Sequence, residues 1–288
     1  MSPWRSDAIL VWILRCSAIL SGTLILVILL FLGFESFPAL QRIGFSRFLS
    51  DNSWHPAAEN GEKTFGLLPM IAGTLLVTGG AILLAAPLGI GTAVFIRFYA
   101  PLFLKTVYRR MMELLAGIPS VVFGFWGLVV LVPLIARWQP PGASLLAAVL
   151  ILAIMIVPTI TLIAAAAMEN VSSTSLHAAA ALGLSRWRTV FQVVLPSCRS
   201  GIFTAVLLGI CRALGETMAV LMVCGNIVQI PRSLFQPVRT LTSNIALEMA
   251  YAMNDHRSAL FVSGLLLMLL VTALVTCSEY FGRRAVHE

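Results

Sequence analysis

Charge is what this chain has least of. Only 11% of its 288 residues are Asp, Glu, Lys or Arg, where a soluble domain carries about a quarter. Lysine is nearly missing. Lys63 and Lys105 are the only two, and neither follows a glycine, so there is no Walker loop to cradle nucleotide phosphates. If ATP drives this protein, another chain hydrolyses it. Aspartate is confined to Asp7, Asp51 and Asp255, outside the apolar stretches, which leaves no intramembrane aspartyl pair. The histidines His55, His177, His256 and His287 also lie outside them, and neither H-E-x-x-H nor G-x-S-x-G occurs. Cys16, Cys198, Cys211, Cys224 and Cys277 form no C-x-x-C pair, so the spacing offers neither a metal site nor a disulfide framework. An enzyme has no catalytic residues to work with here, and no cofactor is expected on this chain.

What is present is apolar. Hydrophobic residues make up 59% of the chain, and the mean hydropathy is +0.95. That composition defines an all-α integral membrane protein without a large soluble domain. The net charge of +7 does not point to nucleic acid, because the basic residues are scattered between apolar stretches. They fit membrane topology and attraction to anionic headgroups or an anionic solute.

A bilayer core needs about 20 apolar residues of helix. Six stretches qualify: about 9–34, 67–96, 114–136, 143–167, 201–224 and 259–278. The first is expected to be a retained span rather than a signal peptide, since it is long and no small-residue cleavage site follows. Residues 1–66 thus form a helix and an outer loop, and 67–280 a membrane core. Residues 168–200 lie between spans in that core, and 281–288 form a tail. Pro69 and Pro87 predict a kink in the second span or a short lateral helix before it. A short basic loop with Arg97, Lys105, Arg109 and Arg110 is expected next. Gly117 and Pro119 should shape a kink at the start of the third span, where Glu113 pairs with Arg109 or Arg110. With the N-terminus inside, eleven Lys and Arg fall on the inner side and seven on the outer, which puts both termini and residues 168–200 in the cytoplasm.

Residues 168–200 are basic and amphipathic. Gly183 permits a sharp turn, and Pro196 restarts the chain before the fifth span. Trp187, Val190, Phe191 and Val194 recur at helical spacing and would form one apolar face, with Arg186 and Arg188 turned to water or an acidic partner. Helical spacing alone suits a helix resting on the membrane or one docking a partner equally well. The fifth span carries Arg212 and Glu216, which at i and i+4 would share one helix face. Charge at that depth normally faces a bundle interior or a wet cavity, either as a self-neutralising pair or on a solute path. Thr217 and Asn226 could donate to an anion or satisfy backbone carbonyls.

The spacing around Gly183 resembles the permease subunits of ATP-binding-cassette importers. Their cytoplasmic loop reads E-A-A, three residues, G, nine residues, I-x-L-P. Ala178, Ala179 and Gly183 fit, nine residues separate Gly183 from Val193, and Leu195-Pro196 closes the pattern. His177 stands where the family has glutamate. Two further runs, Arg212-Ala-Leu-Gly-Glu-Thr-Met with Gly225-Asn226 and Ile118-Pro-Ser-Val-Val-Phe-Gly, resemble the phosphate-importer permeases, more the PstC family than its PstA sister. The resemblance covers about residues 70–280.

It implies a type I importer permease fold and an inner-membrane location. The implied partners are a second, PstA-like permease, two PstB-like ATP-binding subunits that use the ATP, and an extracytoplasmic PstS-like phosphate-binding protein. Inorganic phosphate would pass along Arg212, Glu216, Thr217 and Asn226. An ATPase would be gripped by a segment including His177, Ala178, Ala179, Gly183, Arg186, Leu195 and Pro196. A permease for sulfate or molybdate, a PstA-like role, and a channel or membrane scaffold are the alternatives.

Overall fold

The computed structural model describes residues 3–56 and 63–287, with side chains placed for 10–56 and 63–276. Glu59 and Glu62 of the outer loop, and the side chains of Arg283 and Arg284 in the tail, lie outside what is described.

The chain is almost wholly helical. Helix α1 (Pro3–Ile43) leads through the short α2 (Phe45–Ser50) to a two-stranded antiparallel ribbon, β1 (Trp54–His55) on β2 (Thr64–Phe65), with Trp54 opposite Phe65. Then come α3 (Leu68–Val94), α4 (Leu102–Gly117), α5 (Ser120–Trp126), α6 (Val132–Ala136) and α7 (Leu145–Glu169). The segment between spans holds α8 (Ser173–Ala181), α9 (Arg186–Thr189) and α10 (Leu195–Ser197). Finally α11 (Arg199–Gly215), α12 (Met218–Val223) and α13 (Leu241–Glu248) precede α14 (Asn254–His287).

Helix α7 is the axis of the bundle. Ile151, Leu152, Met155, Ile156 and Ile160 are buried on it, and it packs on α3 and α11. The approach is close because small residues face it. Ile160 sits between Gly89 of α3 and Gly209 of α11, and a Cβ on Gly89 would come within 2.8 Å of Ile160. Without a hydrophobic drive between helices in lipid, such contacts are what hold them together. A second cluster closes the end of the bundle away from α8, where Phe48, Trp54, Phe65, Leu67, Met70, Leu241 and Leu260 are buried together. Helix α1 packs along α14 and turns an apolar flank outward, as a lipid-facing helix does.

Of the six expected spans, four are single helices long and apolar enough to cross a membrane: Leu10–Ile43, Leu68–Tyr99, Leu145–Glu169 and Asn254–Thr276. The other two are limbs of bent pairs. The expected basic loop after the second span is in fact α4, whose axis lies at 93° to Ser120–Ala136. The third span therefore starts at Ser120 rather than near Leu114. Pro119 is the cause: Ile118 before it is forced to an extended backbone (ψ 130°), which ends α4. Pro69 opens the second span rather than ending a helix before it, since it sits in the first turn of α3, where a missing N–H costs nothing. The second bent pair sets Arg186–Ser197 at 73° to α11.

Three π-helical turns, at Phe95–Tyr99, Gly127–Leu131 and Val190–Val194, share one cause. In each, the residue just before a proline donates its N–H to the carbonyl five residues back. These are Ala100 to Phe95, Val132 to Gly127 and Leu195 to Val190. Proline has no N–H, and its ring crowds the carbonyl four residues behind it; one extra residue in the turn makes the room.

Candidate functional site: a broken helix and the segment that leads into it

Helix α11 stops at Gly215. Glu216 takes an extended backbone (φ −70°, ψ 126°), Thr217 follows at φ −115°, and α12 begins at Met218. The fifth span is thus discontinuous, and this corrects the shared helix face expected of Arg212 and Glu216. Arg212 lies inside α11, thirteen residues from its start, or about 20 Å along the axis. Its Nη1 donates to Thr159 Oγ1 of α7 at 3.0 Å, and it joins no ion pair among the described residues. Glu216 turns the other way, and its Oε1 accepts the N–H of Ala219 at 3.2 Å, capping α12. Its carbonyl accepts Thr242 Oγ1 of α13 at 3.0 Å. Thr217 Oγ1 donates to the Gly215 carbonyl at 3.3 Å.

Asn226 closes the far end of α12. Its Nδ2 donates to the Leu221 carbonyl at 2.8 Å, and it sits at φ 55° beside Gly225 at φ 81°. Glycine is required at 225, because a Cβ there would lie 2.6 Å from Pro237. Of the four path candidates, then, Arg212 reaches α7 while Glu216, Thr217 and Asn226 hold the ends of the break.

The segment of residues 173–197 feeds this helix directly. Ser172 caps α8, and α8 ends in a Schellman turn: Gly183 N donates to Ala180 O at 3.0 Å and Leu184 N to Ala179 O at 3.1 Å, with Gly183 at φ 70°. Ser185 Oγ then caps α9. His177, Ala178 and Arg186 are exposed, Ala179 is buried, Leu195 is half-buried and Pro196 is exposed. The apolar face expected of Trp187, Val190, Phe191 and Val194 is split in two. Val190 and Val194 are fully buried against the bundle, while Trp187 and Phe191 stack outside it with ring centroids 4.0 Å apart. The π-turn between them widens the helix and separates the stripes. Leu182, at 79% exposure, stands beside this pair in sequence, so the segment presents apolar side chains to water.

Sequence reasoning missed a second polar centre, at the end of the bundle away from α8. Residues 225–258 fall between the fifth and sixth expected spans, yet Thr240, Thr242, Ser243, Asn244 and Glu248 are buried. Arg239 donates from Nη1 to Glu248 Oε1 at 2.6 Å and to Asn244 Oδ1 at 3.1 Å, and from Nε to the Asn226 carbonyl at 2.9 Å. Glu248 Oε2 accepts Trp54 Nε1 at 2.8 Å and lies 2.8 Å from His256 Nε2. The open cleft above, about 1030 Å³, is lined by Trp54, His55, Asn226, Arg239, Tyr251 and His256. Partial burial, then the Glu248 carboxylate, push the Tyr251 hydroxyl above its ordinary value. The legible signal was Thr240, whose hydroxyl accepts Ser243 N and so starts α13.

This architecture, a bundle around one central helix with a capped segment running into a broken helix, is that of an importer permease. The chain belongs to the binding-protein-dependent transport system inner membrane components, a family that matches residues 85–287. It is a membrane permease subunit of an ABC importer. Among its relatives, the phosphate transport system permease protein PstC of Mesorhizobium japonicum is 38% identical over 97% of this chain and 90% of its own length. PstC of Haemophilus influenzae is 36% identical over 91% and 88%. A probable ABC transporter permease protein, YqgH, of Bacillus subtilis is 39% identical over 89% and 84%. A solved bacterial alginate ABC transporter shares the fold at 16% identity, with a TM-score of 0.65 over 99% of this chain and 98% of that one. So does the methionine transporter MetNI in an inward-facing conformation, at 17% identity and a TM-score of 0.57 over 76% and 94%.

Proposed function

We propose that this chain is the PstC-type half of the membrane path of a phosphate importer. The reading is carried by Arg212, a guanidinium deep in the fifth span that makes no ion pair among the described residues and bonds only a neutral hydroxyl. A guanidinium fork suits the oxygens of a phosphate ion. Unit charges 4 Å apart attract by on the order of 4 kcal/mol at an effective dielectric near 20, enough to offset part of the ion's dehydration without trapping it. Glu216, Thr217 and Asn226 keep the helix open beside that arginine. The relatives named for phosphate transport support the choice of solute.

A second, PstA-like permease would supply the other half of the path. Two PstB-like subunits would hydrolyse ATP, and a PstS-like extracytoplasmic binding protein would deliver phosphate. Residues 177–196 would dock on an ATPase through Leu182, Trp187 and Phe191, and α10 would pass its movement into α11. On this reading both termini would lie in the cytoplasm.

Uptake of labelled phosphate at micromolar concentration, in cells relying on this transporter, tests the reading, with labelled sulfate and molybdate alongside. Arg212→Gln is expected to abolish phosphate uptake while the protein still reaches the membrane. Normal phosphate uptake by that variant would remove Arg212 from the path. Loss of sulfate or molybdate uptake alone would change the solute.

A further inference from the structure

The end of the bundle that carries α8–α10 holds a cavity of about 230 Å³, roofed by the last turns of α7 and walled by α4 and the π-turn after α3. Liquid water occupies about 30 Å³ per molecule, so a tetrahedral oxyanion fits with room for solvent. Five charged side chains line the cavity: Arg97, Lys105, Arg109, Glu113 and Glu169. The two carboxylates are already served. Arg109 bonds Glu113 through Nε at 3.2 Å and faces Glu169 from Nη1 at 3.5 Å.

The other two cations have no such partner. Arg97 Nε is shut off from solvent yet makes no hydrogen bond among the described residues. Lys105, half-buried, forms no ion pair among them. A buried donor that gives up water and gains nothing is a costly arrangement, and it is one a ligand oxygen would relieve. With three cations against two carboxylates, the lining has an excess positive charge that an anion would balance.

We propose that Arg97 and Lys105 form a binding site for a phosphate group at this end of the bundle, separate from Arg212. Arg212 reaches Thr159, and neither residue lines this cavity, which takes Thr161, Leu162, Ala165, Ala166 and Glu169 from α7. A bound phosphate group would tie α3, α4 and α7 together on the flank beside α8. The site stands whatever solute the path carries. Its ligand is either free phosphate or the headgroup of an anionic phospholipid.

The test uses the assembled transporter without its binding protein, in an Arg212→Gln background, in two kinds of nanodisc. In phosphatidylcholine discs, labelled inorganic phosphate is titrated; in discs containing phosphatidylglycerol, retained lipid is counted by native mass spectrometry. Arg97→Gln with Lys105→Gln is expected to weaken one of these two ligands at least roughly tenfold. Arg97→Lys, which keeps the charge, should restore most of it. Loss of phosphate binding in the first discs identifies the free ion, and loss of lipid retention in the second identifies the headgroup. Unchanged binding of both, in a double variant that still assembles, overturns the site.

Discussion

The two ends of this molecule use the same kinds of side chain in opposite ways. At the end away from α8, Trp54, Arg239 and His256 converge on Glu248, and Arg239 also bonds Asn244, so the charges are met within the chain. At the other end, Trp187 and Phe191 stack on each other in the open, and Arg186 is exposed beside them. An arginine and a tryptophan that meet a buried carboxylate finish an interior. Left exposed on a capped turn, they make an apolar surface of the kind that suits docking by another chain. One end holds the bundle shut; the other waits for something to close on.

That contrast can be broken in three places. The largest effect is expected at Glu248. Glu248→Ala leaves Arg239 partly buried without its anion and should cost about 3–5 kcal/mol of stability. Thermal unfolding in detergent reads this, and an unchanged midpoint would mean the Glu248 network holds nothing. The next effect separates the split stripe. Val190→Ala should cost about 2 kcal/mol, because it opens space in the bundle. Trp187→Ala and Phe191→Ala should stay within about 0.5 kcal/mol yet lower co-purification of the ATPase. Equal stability losses at both positions would erase the distinction between stripe and surface. A smaller loss than at Glu248 or Val190 is expected at Gly183. A Cβ there meets nothing within 4 Å, so Gly183→Val is penalised through its φ of +70° alone, by about 1–2 kcal/mol. The turn should re-aim and ATPase co-purification should fall while membrane insertion is unaffected; unaltered co-purification would show that the turn is not what aims the segment.

Much of the fold was legible because length and apolarity suffice to mark a helix in lipid. The four uninterrupted spans and the Gly183 turn were readable in this way. Direction was legible only in part: Gly117 and Pro119 marked a kink, but not that it is a 93° corner with a separate helix before it. Discontinuity was hidden too, since Gly215-Glu216-Thr217 carries no proline, and the break is held by Glu216 capping the next helix. Residues 237–248 lie between two expected spans, where polar residues usually face water. Here they are buried and most of their polar atoms are bonded, Asn244 Nδ2 being an exception among the described residues, and partners distant in sequence, such as Trp54 and Glu248, leave no local pattern. In the site, the residue types at 212, 216 and 226 were readable, but which of them reaches α7 and which merely closes a helix end depended on that break.

The π-turn at Val190–Val194 has a mechanical consequence. In an uninterrupted helix, an extra residue can migrate from turn to turn and dissipate a push as slippage. Pro196 forbids this, because only the turn before it has lost the hydrogen bond that the bulge replaces. The bulge has a fixed address. The joint between the aromatic pair and α11 therefore behaves as a pinned elbow rather than a sliding sleeve, and a displacement applied to one arm emerges in the other.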